Sequence, residues 1–440
     1  MAAASGVRGL SRSLRAARNG RRPVQRPLEY RMLVTATLCL LAFGAVMVYS
    51  ASSAKDLLQG SGNGSGYLAR YAIFGAIGLV AMHVLARIDL AAVRRATPML
   101  LAAAMVLVVC VRLPGIGVEV NGAKRWLGAG PFVFQPSELL KVALVLYAAR
   151  LIAANPERIR RSVKDLVRPL LLVIGLGAAL VAMQPDLGTA LVIAFTATSI
   201  LIVAGVPMRH LAVIGAGALA LVAIFALLEP YRRARLTSFL DPWDHASGAG
   251  FQAVQGQIAI GSGGLFGVGI GQSVQKVFYL PEAHTDFILA VIGEELGLAG
   301  VGGVIFLYGM IAWAGLRTAR AARGVYAKML AAGLTSLILC QASLNVFAVF
   351  GLAPLTGVPL PFISYGGTTL IVLLGVMGLL LNVAAGGSAH LREVRPPQRR
   401  AEAARGRPLP PRDADEDRDR RRRDRGARGA GAGRRGRAAG

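Results

Sequence analysis

The sequence predicts an all-α polytopic membrane protein, ten transmembrane helices with a long extracytoplasmic loop between the seventh and the eighth. Three observations predict it. Hydrophobic residues make up 54% of the 440 residues and charged residues only 16%, an apolar excess beyond that of soluble domains. The apolar residues gather in repeated blocks, most of them near the ~20 residues a helix needs to cross a bilayer core. Those blocks lack the strict alternation of barrel strands, and only helices or closed barrels satisfy their backbone in lipid. Lys and Arg, finally, crowd into the connections on one side of the ten-span arrangement and into both tails; by the positive-inside bias that side is the cytoplasm.

Residues 1–31 form a basic cytoplasmic tail, and 32–386 the membrane domain. The first span, 32–52, has too long an apolar run for a signal peptide, so it is expected to be an uncleaved anchor despite the small residues Ala51-Ser52-Ser53-Ala54. Spans follow at 68–86 and 97–112. The fourth, 137–154, has Ser137 as its expected N-cap, with Glu138 and Lys141 on one face at i, i+3. Spans at 168–183 and 188–205 are joined by Gln184-Pro185-Asp186-Leu187-Gly188, a turn in which Asp186 either caps the next helix or faces a ligand. The seventh, 210–228, leads into the extracytoplasmic loop 229–284.

The eighth span lies at 287–316; as a continuous helix, residues 285–316 would run about 48 Å against a hydrocarbon core of about 30 Å. That excess sets Asp286 at the outer interface, where water keeps it ionised. Glu294 and Glu295 lie further along the helix and are expected to be structural, paired with Arg, Lys or backbone. The ninth and tenth spans occupy 328–350 and 367–386. Between them, PLTGVPLPFISYGG breaks the helix and exposes backbone that must find partners. Gln341 and Asn345, one turn apart, add polar surface to that wall. Residues 387–440 form a disordered Arg-rich cytoplasmic tail containing RDRRRRDR, Arg418 to Arg425; such a polybasic tail is drawn to anionic membrane lipid.

The net charge of +26 invites a nucleic-acid reading, but its confinement to tails and short cytoplasmic loops, such as Arg150 to Arg168 and Arg317 to Lys328, argues for a membrane side and against nucleic acid. Cys39, Cys110 and Cys340 all fall in spans and imply no disulfide framework. No H-E-x-x-H or Cys/His cluster is present, so no protein metal site is expected. The Ser-x-x-Lys, Ser-Asp-Asn and Lys-Thr-Gly set of penicillin-binding transpeptidases is missing too. The glycine-rich GSGGLFGVGIGQS matches neither a dinucleotide fingerprint nor a P-loop, and reads as a flexible or re-entrant loop.

Four outward patches therefore carry the candidate chemistry: VNGAKRWLGAGPFVFQPSELLK, QPDLGTA, the long loop with Arg232, Arg233, Arg235 and Lys276, and PLTGVPLPFISYGGTTL. Together with LPEAHTDF and GEELG, which bring His284 and Asp286, they resemble the shape, elongation, division and sporulation (SEDS) family of bacterial polytopic glycosyltransferases. The resemblance covers residues 32–386, and PEAHTDF followed by IGEELG is more similar to the division type, FtsW, than to the elongation type, RodA.

The resemblance implies polymerisation of lipid II into glycan strands at the outer face of the cytoplasmic membrane during division, an inverting glycosyl transfer from a polyprenyl-pyrophosphate-linked glycan. Asp286 falls on the family's proposed catalytic aspartate, the base for the acceptor hydroxyl. Lys124, Arg125, Lys141, Arg232, Arg233, Arg235 and Lys276 are cations able to meet the leaving pyrophosphate, and Glu138, Asp186 and His284 complete the expected substrate-binding set. A divalent cation, Mg2+ or Mn2+, bridging the pyrophosphate remains open. The expected partner is a class B penicillin-binding protein transpeptidase among other division proteins, at the septum. A lipid II flippase and a non-catalytic scaffold are the competing readings. A transporter would favour internal repeats and midplane sites, and a scaffold leaves the outer acid and cations unexplained.

Overall fold

A computed structural model describes residues 26–386, apart from 59–63, 121–122, 130–131, 157–169, 229–237, 249 and 278–279. Residues 1–25 of the N-terminal tail, the C-terminal tail from 387, and Arg232, Arg233 and Arg235 thus lie outside the described residues, while 28–31, expected in the tail, already belong to the first helix. In chain order the elements are α1 (Leu28–Leu58), α2 (Gly66–Leu85), α3 (Leu90–Cys110), β1 (Gly117–Val120), β2 (Ala123–Ala129), β3 (Phe132–Phe134), α4 (Pro136–Ala154), α5 (Leu172–Ala182), α6 (Leu187–Val203), α7 (Met208–Leu228), α8 (Phe251–Gly263), α9 (Ile288–Ala321), α10 (Val325–Val349) and α11 (Gly367–Ala384). Among the described residues six helices are long and apolar enough to cross a membrane: Leu28–Ser53 of α1, then α2, α3, α9, α10 and α11. Helices α5 and α6 are apolar but shorter, and α4 carries Glu138, Lys141 and Arg150 within its length.

Helix α10 lies at the centre, packed against α4, α6, α8, α9 and α11. Around it α1 lies on α9, α2 on α11, α3 on α4 and α5 on α6. Most of α10 and α11 is buried, as all-round apolar helices should be. Large apolar side chains such as Val80, Met99, Val106, Phe195 and Phe306 stay exposed on α2, α3, α6 and α9, a surface suited to lipid rather than water. Polar side chains stitch the turns. Asn382 donates to the carbonyls of Leu85 and Ile88 between α2 and α3 at 2.9 and 2.6 Å, and Asp89 caps α3 through Ala91 N at 3.0 Å.

The secondary structure departs from the sequence reading at four places. The segment read as all-helical with loops contains a three-stranded antiparallel sheet, β1-β2-β3; its aromatic and β-branched residues favour pleated pairing. Thr368 Oγ1, on α11, ties β3 down by donating to Val133 O at 2.9 Å. Ser137 is not the cap of α4: Gln135 occupies that position without a side-chain bond to the helix, and Pro136 opens the helix, its missing N–H costing nothing there. The long loop contains a helix, α8. The fourth difference concerns α9, which is not continuous.

Gly297 breaks α9 with φ 65° and ψ −165°. A break strands backbone groups that lipid cannot satisfy. Here the glycine-rich run satisfies them. Val268 N and Gly269 N donate to the carbonyls of Glu294 and Glu295 on one side of the break, each at 3.0 Å. Leu298 N and Ala299 N, on the other side, donate to Gly264 O and Leu265 O, again at 3.0 Å. The strap of residues 264–269 is therefore a re-entrant partner for the broken helix. Its close approach explains a glycine: a Cβ on Gly267, at φ +80°, would sit 2.2 Å from Glu295 O. Gly267→Ala is accordingly expected to cost more than about 2 kcal/mol and lower the thermal unfolding temperature in detergent. Gly302→Ala in the same helix meets nothing within 4 Å and should leave that temperature unchanged or slightly raised.

Candidate active site

The helix-free segment between α10 and α11 builds one wall of the site, and four side chains accept the task of satisfying its carbonyls. Asn345 and Gln341, both on α10, donate to Val358 O at 2.8 Å and Pro359 O at 3.1 Å. Tyr308 of α9 and Tyr71 of α2 donate to Pro361 O and Phe362 O, each at 2.5 Å. Asn345 also donates to the carbonyl of Asp286 at 2.7 Å. One amide thereby fixes the Asp286 turn to the broken segment.

Asp286 lies just before α9 and lines a small cavity with Gln252, Phe287, Asn345, Thr356, Gly357 and Val358, among others. Its Oδ2 lies 3.2 Å from the point where a Cβ on Gly357 would stand, and Gly357 has φ +67°. Only glycine gives that backbone both its conformation and its clearance from the carboxylate. His284, two residues earlier, is buried, with Tyr67 and Tyr365 around it at ring-centroid distances of 4.4 and 5.7 Å. Tyr365 N donates to its carbonyl at 3.0 Å, so the aromatic group clamps the turn that carries Asp286.

The other expected acids and cations are mostly engaged with the protein itself. Glu138 and Lys141 pair at 2.8 Å, both buried, and Lys141 also donates to Gln341 Oε1 at 2.9 Å. Asp186 caps α6, its Oδ1 accepting from Thr189 N at 3.1 Å while Oδ2 accepts from Gln135 at 3.1 Å. Arg125 donates to Gln184 O at 3.1 Å and to Pro185 O, holding the same turn. Glu294 accepts from Ser273 Oγ at 2.5 Å and Val274 N at 3.0 Å, the structural role expected of it.

Lys276, expected as an outward cation, is instead buried against Glu295 at 2.7 Å, with Ser50 donating to the same carboxylate at 2.7 Å. Burial of an ammonium without its carboxylate would be prohibitive, which is why the two are found together. Lys124 alone among the described cation candidates is well exposed, 3.9 Å from Glu119 on the sheet, a contact worth little in water. Among the described residues, no three His, Cys, Asp or Glu gather as metal ligands.

The structure therefore brings Asp286, Asn345, Thr356 and Gly357 together, and joins Lys141 and Glu138 to them through Gln341. Gln252, Thr356 and Gly357 lie in segments expected to carry chemistry but were not singled out as site residues. The sequence signal for Gly357 was present in the helix-breaking run, but nothing local in the sequence marks Gln252 of α8 as a neighbour of Asp286.

The sequence profile of the family described as "Cell cycle protein", spanning FtsW, RodA and SpoVE, matches residues 30–388. The chain belongs to this family. Stage V sporulation protein E of Bacillus subtilis is 39% identical over 353 residues, covering 80% of this chain and 96% of that protein. A protein of Thioalkalivibrio sulfidiphilus named "Probable peptidoglycan glycosyltransferase FtsW" is 40% identical over 377 residues, 84% of this chain and 94% of that one. Among solved structures, a chain of a peptidoglycan synthase complex that coordinates polymerization and crosslinking superposes with a TM-score of 0.68 at 30% identity. The rod shape determining protein RodA of Thermus thermophilus superposes with a TM-score of 0.61 at 28% identity. Each structural match covers 83% of this chain and 99% of the other.

Two expectations follow for this FtsW/RodA/SpoVE family chain. Lys276→Met leaves Glu295 buried and without its cation, a loss of about 3–5 kcal/mol; thermal melting in detergent should show it, and the double change Lys276→Met with Glu295→Leu should recover most of it. Gly357→Ala should depress glycosyl transfer by crowding the Asp286 carboxylate, with Gly302→Ala as the control that does not.

Proposed function

We propose that this chain is the peptidoglycan glycosyltransferase that polymerises lipid II into glycan strands at the outer face of the cytoplasmic membrane during division, with Asp286 as general base. One observation carries the assignment of the base. Asp286 lines a polar cavity together with Gln252, Asn345 and Thr356, where an acceptor hydroxyl can reach its carboxylate. In the reaction Asp286 takes the proton of the acceptor sugar hydroxyl as its oxygen attacks the anomeric carbon of the donor. The bond to the pyrophosphate breaks, and the polyprenyl pyrophosphate leaves with the electron pair, inverting the anomeric centre.

The leaving group is an anion and calls for cations. Lys141 and Lys276 are occupied by buried carboxylates and Arg125 by backbone carbonyls, so the leaving group falls to exposed Lys124 and to Arg232, Arg233 and Arg235. Mg2+ or Mn2+, if required, would arrive with the pyrophosphate itself, since the described residues offer it no cage. The break in α9 lends the flippase reading nothing: transporters use the bare backbone of a broken helix to hold cargo, and here the strap of residues 264–269 already occupies it.

The reading extends to ten spans with both termini in the cytoplasm, a septal location, a class B penicillin-binding protein as crosslinking partner, and anionic lipid at the C-terminal tail. Reporter fusions at Gly250 should read outside and fusions after Arg323 inside; a cytoplasmic Gly250 would put Asp286 on the wrong face. In purified lipid II polymerisation with the transpeptidase present, Asp286→Asn should lower the rate by at least about 10²-fold in a protein that still melts normally. His284→Ala should cost less, by loosening the aromatic clamp. Full activity in Asp286→Asn would remove the base from this residue.

A further inference from the structure

The cavity at Asp286 is about 30 Å3, room for one or two hydroxyl groups or waters but not for a sugar ring. Asn345 and Thr356 are among its lining residues, and in each one polar side-chain atom, Asn345 Oδ1 and Thr356 Oγ1, is buried without a hydrogen-bond partner. Buried polar atoms in folded proteins are almost always paired, and two orphans around one cavity point to a missing ligand. The orientation of the Asn345 amide is fixed by its neighbours. Its nitrogen gives one hydrogen to Asp286 O and the other to Val358 O; turned over, it would set an oxygen against two oxygens. Oδ1 is therefore an acceptor waiting for a donor, and the Thr356 hydroxyl can donate or accept.

The step assigned to Asp286 uses one hydroxyl of the incoming sugar, but a hexose carries another on the neighbouring carbon. We propose that Asn345 and Thr356 are the acceptor subsite: the neighbouring sugar hydroxyl enters the cavity, donates to Asn345 Oδ1 and accepts from Thr356 Oγ1, which turns the reacting hydroxyl toward Asp286. The assignment rests on the reading of Asp286 as the base. It gives Asn345 a double part, since the amide that positions Asp286 through its nitrogen positions the acceptor through its oxygen. It also ties acceptor binding to the broken segment, because Thr356 lies beside Gly357 and Val358, the residues against Asp286 and Asn345.

Thr356 is the informative position, since its hydroxyl holds nothing else in the fold. The full-length protein with its transpeptidase partner is assayed on lipid II, and on an analogue deoxygenated at the hydroxyl next to the reacting one. Thr356→Val, which keeps the shape, should raise the half-saturating lipid II concentration about 3- to 10-fold with a smaller change in maximal rate, and Thr356→Ser should restore it. The wild type should use the deoxy analogue poorly, and Thr356→Val should tell the two substrates apart less sharply, since only the Asn345 bond to that hydroxyl remains. Should the Val variant melt early, the wild type's preference carries the test alone, and equal use of both substrates overturns the proposal. A fall in maximal rate only, the same for both substrates, would mean that an ordered water fills the cavity, and this too overturns it. Asp286→Asn run in parallel keeps the two readings apart, because full activity there removes the base whatever Thr356 does.

Discussion

The fold depends on a single requirement: every backbone N–H and C=O exposed by a broken helix at membrane depth must be bonded within the protein. In hydrocarbon each unmet group costs several kcal/mol, more than any exposed ion pair returns. Among the described residues, backbone is bared in this way within α9 at Gly297 and in the helix-free segment between α10 and α11, and both are lined with partners. At Gly297 the partners are backbone groups of residues 264–269. Between α10 and α11 they are side chains of Asn345, Gln341, Tyr308 and Tyr71. Asp286 stands between the two devices. The backbone that carries it is immobilised by bonds made for another reason, and a base needs such fixed geometry.

Electrostatics separates the acids by the same logic. Glu295 with Lys276, and Glu138 with Lys141, are buried charges neutralised at close range, and such pairs hold a structure mainly because breaking them is costly. Glu138, Lys141 and Lys276 were expected to meet substrate, yet their charge is spent inside the protein. What remains for chemistry is the carboxylate beside a polar cavity.

Much of this architecture was legible in the sequence. Block length and polarity marked the apolar helices, the Pro and Gly run before α11 marked a break, and Asp186 was recognisable as a cap because Asp before a helical run is a local signal. Asp286 stood out as an acid at the mouth of an apolar stretch. The sheet of residues 117–134 was missed because its strands are short and lie among Gly and Pro that read as loop. The break in α9 was missed because one glycine inside an apolar run is ordinary, and only the strap from another segment makes it a break. Lys276 was misread for a similar reason: its partner Glu295 follows in the next helix and Ser50 lies on the first, and no local pattern records a contact of that range.

The strap across α9 recognises main chain with main chain, and such recognition is nearly blind to side chains. Leu265, Phe266 and Val268 could be exchanged for other residues without altering a single bond of the clasp, whereas Gly267 could not. The segment is therefore free to drift in sequence while keeping its shape. Related chains could share the clasp and have little but the spacing of their glycines in common.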